Sequence, residues 1–206
     1  MKTIGIMLMG ALVLLTTACS TNEESTIEST TYTLHTDETT LTWSANMGPN
    51  YGHTGTISVS EGSMVMHEDD LIEGSFTIDM NSLKNTDLIE AGEVDKAGYL
   101  VGHLKGTMVD ENHPADLFFN VPIFPTTTVS LGEYNDGELA LTISTLGKEI
   151  TQKVPMKIVQ DEHGATITGD FSVDFTKIEI PGLQPNDDGS QINPIIDFKL
   201  DLLMTK

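Results

Sequence analysis

Six histidines and one cysteine are the side chains in this sequence best suited to hold a metal or act as nucleophiles. His35, His53, His67, His103, His113 and His163 are scattered along it. No two stand in the His-x-x-x-His spacing that places two ring nitrogens on one helix face, and none has the flanking glutamate of a zinc enzyme. No Gly-x-Ser-x-Gly elbow exposes a serine. Asn186-Asp187-Asp188-Gly189 looks like part of a calcium loop, but it lacks the alternating acids and distal glutamate of an EF-hand. It reads better as a turn between the last two strands. The expectation is therefore a protein that is not an enzyme, with no metal and no cofactor.

Cys19 is the one reactive group with an informative context. Met1-Lys2 precedes an apolar run over residues 4–15, and Thr16-Thr17-Ala18 leads into the cysteine. A positive start, a short apolar run and small residues before a cut site are the parts of a secretory signal peptide. The run is too short to span a bilayer, which takes about 20 apolar residues. Its ending resembles a bacterial lipobox, in which the cysteine thiol is acylated and becomes the new N-terminus. Leu15 stands one place earlier than the usual leucine, and Thr16 fills that position. Residues 1–18 are thus expected to be a lipoprotein signal peptide, with Cys19 as the point of lipid attachment. Ser20 replaces the aspartate associated with inner-membrane retention, so an exported protein on an outer membrane is expected. A lone cysteine has no disulfide partner, so the domain must be stable through its own core.

The next residues, up to position 31, are rich in Ser, Thr and Glu and cannot bury enough surface to fold. They read as a flexible tether. The domain follows over residues 32–206. The formal net charge is −21, and all ten basic residues are lysines. Such a surface repels phosphate backbones, which excludes nucleic acid as a partner. It also avoids anionic headgroups, so membrane contact must come through acyl chains.

Within the domain the apolar residues recur with a period of two. Leu41 and Trp43 alternate with Thr40 and Thr42. Phe76, Ile78 and Met80 alternate with Ser75, Thr77 and Asp79. Leu139, Leu141 and Ile143, then Ile150, Val154 and Met156, then Phe171, Val173 and Phe175, and finally Ile196, Phe198, Leu200 and Leu202 repeat the pattern. Alternation of this kind marks antiparallel strands with one dry face and one wet face. Glu61-Gly62, Asn135-Asp136-Gly137, Leu146-Gly147-Lys148 and Glu162-His163-Gly164 are expected turns. Many short strands with tight turns imply an all-β sandwich or barrel. Residues 88–124 break the pattern. Tyr99 to Leu104 and Leu117-Phe118-Phe119 look like short helical turns, limited by Pro114, Pro122 and Pro125.

The order of motifs through the middle of the chain resembles the YceI-like, polyisoprenoid-binding family. Phe76 to Leu83 forms a strand ending in Ser82-Leu83. Gly102-His103-Leu104-Lys105 follows, then Asp116-Leu117-Phe118-Phe119, then Phe124-Pro125, a Thr-rich strand, and a strand pair turning at Gly147. The resemblance implies an antiparallel, lipocalin-like β-barrel of about eight strands with an apolar tunnel for an isoprenoid-like amphiphile. The family usually runs from the His-Leu motif almost directly into the Asp-Phe-Phe motif. Residues 106–115 here form an insert that would reshape one mouth of the barrel. His103 is expected to be structural, its ring donating to a loop carbonyl. His113 is expected to be an exposed loop histidine.

An eight-stranded barrel either fills its interior with side chains or holds one small ligand. The inward set expected to line a pocket is Trp43, Phe76, Ile78, Met80, Leu141, Ile143, Met156, Phe171, Val173, Phe175, Phe198 and Leu200. These residues are apolar, and Met and Phe suit a flexible chain. The leading expectation is an envelope lipoprotein that carries or sequesters a hydrophobic lipid ligand. A structural or interaction module with a filled core is the alternative.

Overall fold

The computed structural model describes residues 28–46, 48, 51–111, 113–185 and 191–206. Cys19, its signal peptide and most of the tether, and the Asn186–Gly189 turn, lie outside the described residues. Ten strands form one antiparallel sheet. They are β1 (Thr30–Leu34), β2 (Thr40–Asn46), β3 (Gly52–His67), β4 (Asp70–Asn85), β5 (Thr126–Asn135), β6 (Glu138–Thr145), β7 (Lys148–Pro155), β8 (Lys157–Gln160), β9 (Gly164–Asp174) and β10 (Ile195–Thr205). Helices α1 (Asp87–Glu90) and α2 (Val94–Lys105) stand between β4 and β5.

The ten segments occupy eight strand positions. β1 and β2 are separated by one 3-10 turn, Thr36–Glu38, and both pair with β3 and β10. β7 and β8 are separated only by Met156; β7 pairs with β6 and β8 with β9. That kinked segment carries one end of the sheet across to the other. The Gln152 side-chain amide donates to the Ser172 carbonyl at 2.8 Å, bridging β7 to β9 beside the kink. The result is a lipocalin-like barrel of the expected size, and closure leaves little exposed strand edge.

Two of the expected turns form tight hairpins. Asp136-Gly137 joins β5 to β6 with φ of 52° and 79°, and Leu146-Gly147 joins β6 to β7 with φ of 54° and 69°. Both central residues have positive φ, as the type I′ hairpin turn requires to match the strand twist. Glu61-Gly62 is not a turn. It lies inside β3, beside a register shift between Val59 and Glu61. Glycine is needed there for packing, because a Cβ on Gly62 would sit 2.2 Å from the Phe76 ring. The Tyr99 to Leu104 stretch is also longer than a turn, being part of the 12-residue helix α2.

The barrel interior has two halves of different character. In one, Met64, Met66, Ile167, Leu202 and Met204 are fully buried with Leu139 and Ile150. Large side chains there lie over glycines of neighbouring strands: Phe76 over Gly62, Leu131 over Gly74, and the Met156 sulfur over Gly169. Each glycine removes a Cβ so that a bulky neighbour can fill the space, which leaves this half packed. The other half is hollow.

Candidate functional site

The hollow half encloses about 240 Å³, just below the ~300 Å³ lower end of typical small-molecule sites. Its wall comes from the inward positions of the strands. β2 contributes Leu41, Trp43 and Ala45; β4 contributes Ile78, Met80 and Leu83; Val129 and Ile143 come from β5 and β6. β9 and β10 add Phe171, Val173, Ile196 and Phe198. Phe171 and Phe198 are cross-strand partners whose rings stack at 5.7 Å. Trp43 is held in place on both sides: its indole lies against Gly55, and Nε1 donates to the Lys84 carbonyl at 3.2 Å.

Irregular elements close one end. α2 presents Leu100 and Leu104 to the cavity, and the 114–124 loop presents Phe118 and Phe119. Leu183, from the 3-10 turn Pro181–Leu183, completes the cover. The Gly182 amide donates to the Leu117 carbonyl at 2.7 Å, and the Phe118 ring lies where a Cβ on Gly182 would be. Phe119 meets Phe175 edge-on at 6.2 Å.

Eight of the twelve residues expected to line the pocket do so: Trp43, Ile78, Met80, Ile143, Phe171, Val173, Phe175 and Phe198. Phe175 does it from a 3-10 turn, Phe175–Ile178, rather than from a strand. Phe76, Leu141, Met156 and Leu200 do not line it. Phe76, Leu141 and Met156 are buried in the core, and Leu200 is packed against it, opposite Gly169 in the β9–β10 register. They share the inward face with the pocket residues but belong to the packed half. Alternation specifies a face of a strand and is silent about position along the barrel axis.

The rim carries polar groups that alternation does not reveal. Tyr51 and His53 both line the cavity, and Tyr51 is 58% exposed, which marks the opening. His53 Nδ1 lies 2.9 Å from Asp87 Oδ2, and Nε2 lies 3.2 Å from the Tyr51 hydroxyl. A carboxylate acceptor puts the ring proton on Nδ1, so Nε2 accepts from Tyr51. Asp87 also accepts from the Thr54 amide at 2.8 Å and from the buried Asn85 side chain at 2.7 Å. Burial raises the Asp87 pKa, but the bonds from His53, Thr54 and Asn85 outweigh it and hold the carboxyl below its ordinary range. Deeper in the cavity the polar pair is Thr127 and Thr145, whose hydroxyls bond each other at 2.8 Å.

A second polar group forms on another face of α2. α2 ends at Gly106, whose φ of +70° lets its amide turn back onto the helix carbonyls. A Cβ there would also lie 2.1 Å from the Ala115 carbonyl. The described part of the insert, 106–111 and 113–115, then folds back and stacks the His113 ring on that of His103, with centroids 3.9 Å apart. Tyr99 lies 4.0 Å from His103 on the same helix. His113 Nδ1 meets the Asp110 carboxylate at 2.8 Å. Two expectations are corrected here. His103 makes no bond to a loop carbonyl through Nε2, which is buried without a hydrogen-bond partner. His113 is half-buried and held, not simply exposed on a loop. Burial pushes the His103 pKa down; His113 adds to this, and Asp110 opposes it.

A closed antiparallel β-barrel with an apolar cavity at one end defines a lipocalin-like architecture. The YceI-like domain model matches residues 32–203, so the chain belongs to the YceI-like family. Among the solved structures that share the fold are these two. One is a polyisoprenoid-binding domain from Saccharophagus degradans implicated in plant cell wall breakdown. It is 12% identical, with a TM-score of 0.58 over 84% of this chain and 97% of that one. The other is BcnA from Burkholderia cenocepacia, 14% identical, with a TM-score of 0.55 over 82% of this chain and 98% of that one. No curated protein matches the chain.

Proposed function

We propose that this protein is an envelope lipoprotein that carries or sequesters an amphiphile, holding an isoprenoid-like chain in the hollow half of the barrel. The carrying observation is the cavity wall: apolar on nearly every side, with hydrogen-bonding side chains concentrated at the Tyr51 rim. Each buried methylene contributes about 0.8 kcal/mol, so an apolar chain needs no specific polar contact in the interior. The polyisoprenoid binding named for the Saccharophagus domain is consistent with this reading.

The rim favours a neutral head. The Tyr51 hydroxyl, its proton directed to His53, keeps an oxygen that can accept a hydrogen bond, while Asp87 and a net charge of −21 oppose a phosphate or pyrophosphate. An alcohol, whose hydroxyl can donate to the Tyr51 oxygen, suits the site, and a quinone meets no repulsion there because it is uncharged. The alternative, a scaffold with a filled core, describes only the packed half of the barrel.

Native mass spectrometry tests the binding. After organic extraction, the protein is offered a long-chain prenol, a prenyl quinone and a prenyl pyrophosphate. One prenol or quinone per chain is expected, with the pyrophosphate bound more weakly. A barrel that purifies without lipid and takes up none of the three overturns the reading. Lipid attachment at Cys19 is tested separately. Cys19→Ser should lack the acyl mass and leave the detergent phase; a parent chain already without that mass removes the anchor.

A further inference from the structure

We propose that His103, Asp110 and His113 form a binding site for one divalent transition-metal ion of the zinc class, built by the 106–115 insert against helix α2. One donor atom from each of the three residues lies within 4.8 Å of the other two. The set is two imidazoles and a carboxylate, which are ordinary zinc ligands. His103 Nε2 provides the independent observation: the residue is 9% exposed, and this nitrogen is buried with no hydrogen-bond partner. A buried polar atom without a partner carries a desolvation cost. A metal bond removes it.

The insert already holds two of the three ligands together. The Asp110 and His113 backbones bond each other in both directions, at 3.2 and 3.3 Å, and the Asp110 carboxylate accepts from the His113 amide at 3.0 Å. This turn sets the His113 ring on His103. In the absence of an ion, a proton bridges His113 Nδ1 and Asp110 at 2.8 Å. A metal ion replaces that proton and takes both groups as ligands.

Bonds of 2.0–2.1 Å place tetrahedral ligands about 3.3 Å apart. Filling the site therefore draws the insert inward and turns the stacked His113 ring edge-on to His103. Three protein ligands leave a fourth position for water or another small ligand, and Asp110 is exposed there.

The test uses the full chain in detergent, with Zn²⁺ and Co²⁺ as probes at 150 mM salt to suppress diffuse binding by the acidic surface. The expected result is one high-affinity Zn²⁺ per chain by calorimetry, and a Co²⁺ visible spectrum of four-coordinate nitrogen and oxygen ligation. His113→Ala should weaken binding at least 100-fold, and Asp110→Asn at least tenfold. His113 and Asp110 sit on a surface loop, so circular dichroism should show both variants folded. His103→Gln tests the buried ligand and should give the same loss. Zn²⁺ binding that is unchanged in folded His113→Ala overturns the proposal. So does weak, multiple binding that disappears with salt.

Discussion

The indole of Trp43 lies against Gly55 on the neighbouring strand. A Cβ at Gly55 would sit 2.6 and 2.7 Å from two of its ring carbons. The same Cβ would meet the Lys84 carbonyl at 1.9 Å, the carbonyl that accepts the Trp43 Nε1 proton. One missing methyl group thus fixes both the orientation of the largest side chain in the cavity wall and its hydrogen bond.

Gly55→Ala should therefore cost more than its size suggests. Backbone lies on one side of the new methyl and a packed ring on the other, so neither can yield cheaply. A loss of about 1–3 kcal/mol is expected, as for overpacked cores, with a shift in Trp43 fluorescence. Urea unfolding and emission spectra measure the two effects. An alanine variant that is unchanged in both would show that the contact imposes no constraint.

Leu141 and Ile143 are neighbours on the same face of β6, but they end in different halves of the barrel. Leu141→Ala opens a void in packed core and should cost about 2–5 kcal/mol. Ile143 borders space that already exists, so Ile143→Ala should cost at least ~1 kcal/mol less, because its neighbours lose fewer contacts. Denaturant midpoints of the pair measure the difference. Equal losses would mean that the two halves are equally packed.

Ala45 lines the cavity from β2, directly across the ladder from His53 near the opening. Ala45→Trp should narrow the entrance and reduce prenol uptake at least tenfold, while the packed half keeps the melting temperature within a few degrees. Native mass spectra and thermal melts read the two outcomes independently. Undiminished uptake would place the entrance elsewhere.

Asp87 ties acid stability to the rim. Burial raises its folded pKa, but the bonds from His53, Thr54 and Asn85 hold it below the ordinary value for an aspartate. Its ionised form therefore contributes stability that is fully present above that value and is lost as pH falls through the lower folded pKa. The melting-temperature advantage of the parent over Asp87→Asn should shrink below about pH 4 from its value at about pH 5. Melts from pH 2 to 6 on both proteins test this. An advantage that grows on acidification would show that the sign is reversed.

Much of this architecture is legible in the residues because sheet formation is local and periodic. Alternation in 139–143, 171–175 and 196–202 marks the dry faces, and Asp136-Gly137 and Leu146-Gly147 mark two hairpins through the positive φ such turns require. The same logic fails at Glu61-Gly62, where glycine yields space to Phe76 instead of turning the chain. It also passes over the β3–β4 hairpin, where Glu68 itself takes φ of 52° without a glycine.

The sites are less legible because their members are far apart in the chain. His53 reaches Asp87 across 34 positions only because β3 and β4 pair. His103 and His113 meet only because Gly106 turns the chain back on the helix. Spacing rules for metal motifs assume one helix or one loop, so they miss a set divided between the two.

What the sequence determined by itself is the class of the fold and the sides of its strands, since side-chain direction along a strand follows from backbone geometry alone. Trp43, Ile143 and Phe198 could be placed inside on that basis, as could Phe76, Leu141, Met156 and Leu200. Only the tertiary structure decided which of these seven face a cavity. That depends on how glycines, bulky side chains and the α2 cover stack along the barrel axis, and those contacts join strands that are distant in the chain.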